Sequence, residues 1–327
     1  MNLRCNNDCM YCGVRHDNHS ALPSLERLQT HWKKVFEKSQ HLGLKYKLAI
    51  TGGEVTINKN FLPFIEWLNE NYSDYLGPVG LTTNARASKN YYLKLFKQLK
   101  FISFSTHTES LDLDAFFDTA LAMHKFAAFR KDKFFMINIM EEYWAEEKMK
   151  KIIDFCHRYK IFYSVGRIDY GREGIRKYPV FKIKNVTEER PDLEYTPERD
   201  EATHRAIQDY IRTYQLPEEH HNNIIVHYAD GTSIKTYATR LKFLGLDKFY
   251  NWPCDAGIAR MSIHPNGDVY SAECDNDYMG NLDNDTFELF TEPKPCKFAT
   301  CTNNPDNLMV DKRSPDYDSI MAQNKIT

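Results

Sequence analysis

Three cysteines near the start constrain this 327-residue chain more than any other feature. Cys5, Cys9 and Cys12 stand at C-x3-C-x2-C spacing. Cubane iron–sulfur clusters are held by cysteine thiolates, normally four of them. Three in one short loop can wrap three corners and leave one iron without a protein ligand, much as a catalytic zinc keeps one position open. A zinc knuckle is the competing reading. It wants a fourth Cys or His close by, and His16 is the near candidate.

A second motif follows the apolar run Leu48-Ala49-Ile50, namely Thr51-Gly52-Gly53-Glu54. Two glycines let the backbone approach a ligand, and a carboxylate can accept from an ammonium. Alone, Gly-Gly-Glu is a turn. Together with Tyr11 placed just before Cys12, the pair of motifs resembles the signature of the radical S-adenosylmethionine (SAM) superfamily. The resemblance implies a [4Fe–4S] cluster on Cys5, Cys9 and Cys12 whose open iron chelates SAM. An electron from the cluster then yields a 5′-deoxyadenosyl radical that abstracts hydrogen from substrate. It further implies that Tyr11 lies beside the adenine and that Gly52, Gly53 and Glu54 help seat the SAM amino group.

Hydrophobic residues make up 42% of the chain and aromatics 13%, enough for a sizeable core. A net charge of −2 gives no basic field for a nucleic-acid backbone, so a nucleic-acid polymer is disfavoured as substrate. No apolar run has the length of a membrane span, and the start of the sequence shows no signal-peptide pattern. Eight cysteines without such a signal favour metal binding over disulfides and a reducing, cytoplasmic setting.

Taken in order, helical spacing covers 24–41, with Ser24 as N-cap. Strands are expected at 45–51, 79–83, 101–106, 134–140 and 161–168. Helices are expected at 61–72, 91–99, 113–124 and 145–159. This alternation argues a parallel sheet with crossover helices, an α/β fold. It fits the partial (β/α)6 TIM-like barrel that the resemblance implies. The family places a strand before the cysteine loop; only residues 1–4 precede it here, so either that strand is nearly absent or the sequence starts late.

Ligands of α/β folds lie at the carboxyl ends of strands. Polar residues collect there: Thr83 and Asn84, then Ser105, Thr106, His107 and Glu109, then Asn138, then Arg167 and Asp169. Each alone reads as a helix cap. As a set they match where the family holds SAM, with Asn84 in that set, Ser105 and His107 for the ribose and Asn138 and Arg167 for the polar end. Glu109 or Asp169 would touch substrate. Cys156 lies within an amphipathic helix and reads as a buried structural thiol.

Composition shifts after Tyr170. Residues 185–205 are rich in charge and proline, 202–214 reads as a helix, and 224–237 as a hairpin around Asp230-Gly231. Glu218-Glu-His-His221 reads as a solvated run. Cys254 and Cys274 flank a hairpin with an Asn266-Gly267 turn, and Cys296 and Cys301 close the set. With Gly280-Asn281-Leu282, this resembles the C-terminal SPASM or Twitch extension of radical SAM enzymes. Four cysteines there imply one auxiliary [4Fe–4S] cluster; a structural zinc on the same four is the alternative.

Three regions are therefore expected: residues 1–175 as the barrel core, 176–250 as a linker or insert, and 251–327 as the auxiliary-cluster domain. The implied enzyme takes a small polar metabolite, a nucleotide or sugar, with an electron donor such as flavodoxin or ferredoxin. A peptide-modifying maturase is the alternative substrate class, disfavoured by the lack of a discernible leader-binding domain. A non-catalytic iron–sulfur or zinc protein is the rival that leaves Tyr11 and Gly-Gly-Glu unexplained.

Overall fold

The structure is a computed structural model. It describes residues 4–7, 9, 11, 21–108, 111–168, 196–214, 223–227, 231–237, 248–254, 256–258, 260–272, 274 and 277–298. The chain divides into two compact units: Met1–Thr30 with Lys45–Pro217, and His31–Leu44 with Glu218–Thr327.

In the first unit, strands β1 (Tyr46–Ile50), β2 (Leu76–Thr83), β3 (Phe101–Thr106), β4 (Phe134–Glu141) and β5 (Phe162–Arg167) form one sheet in order β1-β2-β3-β4-β5. Every neighbouring pair is parallel. The crossovers are α2 (Phe61–Tyr72), α3 (Lys89–Gln98), α4 (Leu113–Ala128) and α5 (Glu146–Tyr159). This is the α/β architecture of a partial TIM-like barrel.

Burial alternates along β4: Phe135, Ile137, Ile139 and Glu141 are buried, whereas Met136, Asn138 and Met140 are half-buried. The apolar set is matched by fully buried residues of the crossover helices, such as Phe64, Ile65 and Leu68 of α2 and Leu95 and Phe96 of α3. Each such side chain contributes about 1.5–3 kcal/mol relative to exposure. The last buried position of β4 is a carboxylate, Glu141. Helix α6 (Pro197–Arg212) completes the described part of this unit; Thr196 caps it by accepting from Arg199 N, and Pro197 takes the first turn. His204 of α6 bonds Glu141 at 2.9 Å.

The second unit takes its helical part from α1 (Leu25–Ser39), whose residues from His31 belong to it. Val35 is buried with Val269, Met279, Leu282 and Phe287, and Trp32 packs against them. His31 Nε2 lies 2.7 Å from Asp283 Oδ1. The sheet elements are a β6 (Asn223–His227) and β7 (Ser233–Tyr237) hairpin, a β8 (Pro253–Cys254) and β12 (Lys294–Pro295) pair, and three antiparallel strands. Those three are β9 (Ser262–Ile263), β10 (Asp268–Tyr270) and β11 (Tyr278–Asn281). The Asn266-Gly267 turn joins β9 to β10, with Gly267 N–H donating to His264 O. Gly280 sits at φ 105, and a Cβ there would collide with the carbonyl of Thr286. Only glycine serves at that point.

Candidate cluster and SAM site

The candidate site belongs to the first unit and is built on the cysteine loop. Cys9 and Tyr11 are buried, at 5% and 4% exposure, and Cys5 is half-buried. Four strand ends hold this loop.

From the end of β1, the Glu54 N–H donates to Arg4 O at 2.8 Å. Gly52 in the preceding turn has φ 148, a value glycine adopts freely. Glu54 is 1% exposed, and its carboxylate accepts four hydrogen bonds from the protein. Oε1 accepts from Thr56 N (3.0 Å), Thr56 Oγ1 (2.6 Å) and Thr83 Oγ1 (2.8 Å), while Oε2 accepts from Asn84 N (2.8 Å). Thr83 in turn lies 2.9 Å from Tyr92 Oη, which accepts from Ala87 N. The chain of donors runs inward to one buried charge, an arrangement in which each bond polarises the next.

From the end of β2, Asn84 Nδ2 reaches Asn6 Oδ1 (2.7 Å) and Cys5 Sγ (3.8 Å). Arg86 Nη1 reaches Asn6 O and Asn7 Oδ1, both at 2.7 Å. Cys5 Sγ also accepts from Asn7 N at 3.4 Å. Burial pushes the Cys5 thiol above its ordinary value, the nearby Glu54 charge adds to this, and the bonds from Asn7 and Asn84 oppose it.

From β3 and β4, His107 and Glu142 converge on Tyr11. Its hydroxyl donates to Glu142 Oε1 (2.5 Å) and lies 2.6 Å from His107 Nδ1. One hydroxyl has one proton, so His107 Nδ1 carries the hydrogen when Glu142 accepts from Tyr11. The Tyr11 ring stacks on His107, with centroids 5.8 Å apart, and tilts against Trp144. Glu142, fully buried, also accepts from the backbone N–H and the hydroxyl of Thr108.

The structure thus brings Cys5, Cys9, Tyr11, Glu54, Asn84 and His107 onto one loop and its supports. Ser105 stands opposite Asn138 in the β3–β4 register. Asn138 bridges across the sheet, donating to Ser103 Oγ and accepting from Ser164 Oγ, each at 2.7 Å. Arg167 closes β5 in backbone terms. Cys12, Glu109, Asp169, Cys301, residues 176–195, the 218–221 run and the side chain of Arg167 lie outside the described residues. Sequence reasoning missed Arg86, Glu142 and His204. The signal for Glu142 was a Glu-Glu pair directly after an apolar strand; Arg86 and His204 had none.

The donor set suits a cluster: a buried Cys9 and a half-buried Cys5 on one loop, with N–H groups of Asn7 and Asn84 aimed at the Cys5 sulfur. Among the described residues no group of three His, Cys, Asp or Glu side chains is placed to hold a metal ion. In the second unit, Cys254 is buried with Ala256 and Ala272, and Cys274 packs on that group. Cys296 N donates to Trp252 O at 2.9 Å, just before the strand that carries Cys254.

No protein-family profile matches the chain. A stretch of 85 residues is 34% identical to GTP 3′,8-cyclase of Desulforamulus reducens, covering 25% of this chain and 24% of that protein. Among solved structures, the chain is similar to Streptococcus suis SuiB bound to its precursor peptide SuiA. The TM-score is 0.50 at 16% identity, over 83% of this chain and 57% of SuiB. The chain therefore spans about a quarter of the curated relative and somewhat over half of SuiB. Fold, cysteine loop and the matched stretch agree with the resemblance to the radical SAM superfamily. Among the described residues, no helix is long and apolar enough to cross a membrane.

Proposed function

We propose that this chain is a radical SAM enzyme acting on a small polar metabolite, a nucleotide or sugar. The observation that carries the reading is the loop of half-buried Cys5 and buried Cys9 and Tyr11, moored to the strand ends by Glu54, Asn84, Arg86, His107 and Glu142. Cys5, Cys9 and Cys12 would hold a [4Fe–4S] cluster, with SAM seated against the Gly52-Gly53 turn. Bound together, cluster and SAM would supply a 5′-deoxyadenosyl radical. The chain's own part is to bury Cys9 and Tyr11 and to fix the Tyr11 ring between His107 and Glu142.

The nucleotide reading is supported by the stretch similar to a GTP 3′,8-cyclase. A peptide substrate is the second reading, favoured by the likeness to a structure holding a precursor peptide. Cys254, Cys274, Cys296 and Cys301 would carry an auxiliary [4Fe–4S] cluster in a SPASM- or Twitch-like region, residues 251–327. The electron donor would be a flavodoxin or ferredoxin.

Anaerobic reconstitution with iron, sulfide, reductant and SAM should release 5′-deoxyadenosine, and Cys9→Ala should abolish it. Deuterium transferred to that product from labelled nucleotides, and not from labelled peptides, would select the first substrate class. Protein that binds zinc alone would sink the whole reading.

A further inference from the structure

Ala85 is an L-residue held at φ 62 and only 8% exposed. The left-handed conformation costs a residue with a Cβ about 1–2 kcal/mol, so it persists only where its surroundings over-determine it. The surroundings here are two side chains, one on each side, that between them reach Cys5, Asn6 and Asn7 of the cysteine loop. The Asn84 amide donates one N–H to Asn6 Oδ1 and the other to Cys5 Sγ, and its oxygen accepts from Arg86 N at 3.2 Å. Arg86 spans Asn6 O and Asn7 Oδ1 from a single nitrogen. The Asn84 N–H is itself fixed to Glu54. A right-handed residue at position 85 would send the following side chain off the loop.

Resting on the radical SAM reading for the nature of the group held, we propose that Asn84 and Arg86, aimed by the left-handed turn at Ala85, are positioning residues. They shape the cysteine loop before iron arrives and set the electron affinity of the cluster through Cys5. Hydrogen bonds to cluster sulfurs are a known lever on reduction potential, because they stabilise the more electron-rich reduced state. The Asn84 amide therefore serves the thiolate rather than SAM.

The test uses the full chain, metal-free and reconstituted. In the metal-free form, Arg86→Ala should raise hydrogen exchange at residues 5–7 by about tenfold, as loss of a charge-assisted bond would. The same variant, reconstituted, should lose iron to a chelator faster by a similar factor. Arg86→Lys should fall between, since an ammonium keeps the charge and can donate to both acceptors but lacks the fixed plane that aims the two N–H groups of Nη1. Ala85→Gly should leave both rates unchanged, because glycine reaches the same φ freely. Asn84→Leu, close in volume, should keep its iron but show a more negative midpoint potential in a redox titration followed by electron paramagnetic resonance. Unchanged rates in both Arg86 variants, or an unmoved potential in Asn84→Leu, overturns the proposal. Wild-type chain that takes up no iron would overturn the cluster reading instead, and the metal-free exchange would still judge the mooring.

Discussion

The hydroxyl of Tyr11 donates to a carboxylate oxygen of Glu142 at 2.5 Å, across 131 positions of sequence. A carboxylate buried this completely depends on its donors, and Tyr11 is one of a small set with the two from Thr108. Tyr11→Phe removes the donor and leaves the charge. A bond to a charged group contributes about 1.5–3 kcal/mol, so urea unfolding of the metal-free protein should show a loss of that order. Glu142→Gln should cost less in the Tyr11→Phe background than alone, and a double-mutant cycle measures the difference.

Glu54→Gln tests the second buried charge. The amide replaces one of the accepting oxygens with an NH2 that must face a donor from Thr56, Thr83 or Asn84. Leaving a buried donor unmet costs about 1–3 kcal/mol. The loss should be measurable by unfolding without SAM present. Full stability together with weakened SAM affinity would instead show that the carboxylate meets the ligand.

The second unit makes a stoichiometric prediction. Replacing Cys254, Cys274, Cys296 and Cys301 together should lower iron from roughly eight to four per chain, each cubane carrying four. Slow SAM cleavage should persist while substrate turnover is lost. Four iron with one zinc in the wild-type chain would make that site structural.

Cys156 of α5 is fully buried, and burial pushes its thiol well above the ordinary value. It should resist alkylation by iodoacetamide at neutral pH until the protein unfolds, and react at once in denaturant. Mass spectrometry of the modified peptide reads this directly.

His157 gives a pH dependence with a defined sign. It stacks on Tyr214 at 3.7 Å and bonds Tyr163 Oη at 2.8 Å. Burial holds its pKa below the ordinary value, against the nearby Asp154 charge. The unfolded chain therefore takes up this proton first, near pH 6.5, and stability falls as the pH drops from there toward the lower folded value. His157→Phe keeps the stack and removes this part of the slope. Denaturant midpoints at pH 7.5 and pH 5.5 for both proteins check it.

Much of the barrel was legible in sequence because its elements are locally periodic. Helix α2 and strand β3 occupy the expected 61–72 and 101–106, where apolar spacing and flanking turns agree. Helix α6 begins at Pro197 rather than 202, since the Thr196-Pro197 start was passed over in a charged stretch. Strand β4 runs one residue further than its apolar run, to a buried Glu141. Its partner, His204, is 63 positions away, so no local pattern could announce it. The supports of the cysteine loop were hidden for the same reason: Arg86 acts at a separation of 80. The cysteines themselves were plain because ligand spacing is local.

The grouping of His31 with Asp283, 252 positions later, reaches beyond stability. During synthesis, Trp32 and Val35 leave the ribosome long before Val269, Met279 and Phe287 exist to cover them. At about 5–20 residues per second, that apolar stripe waits on the order of ten seconds or more. A nascent chain arrested anywhere before the last strands should therefore display it to chaperones. A truncation that removes the C-terminal unit would leave an early helix with nothing to bury against, and shortened versions of this protein should be judged first by whether they aggregate.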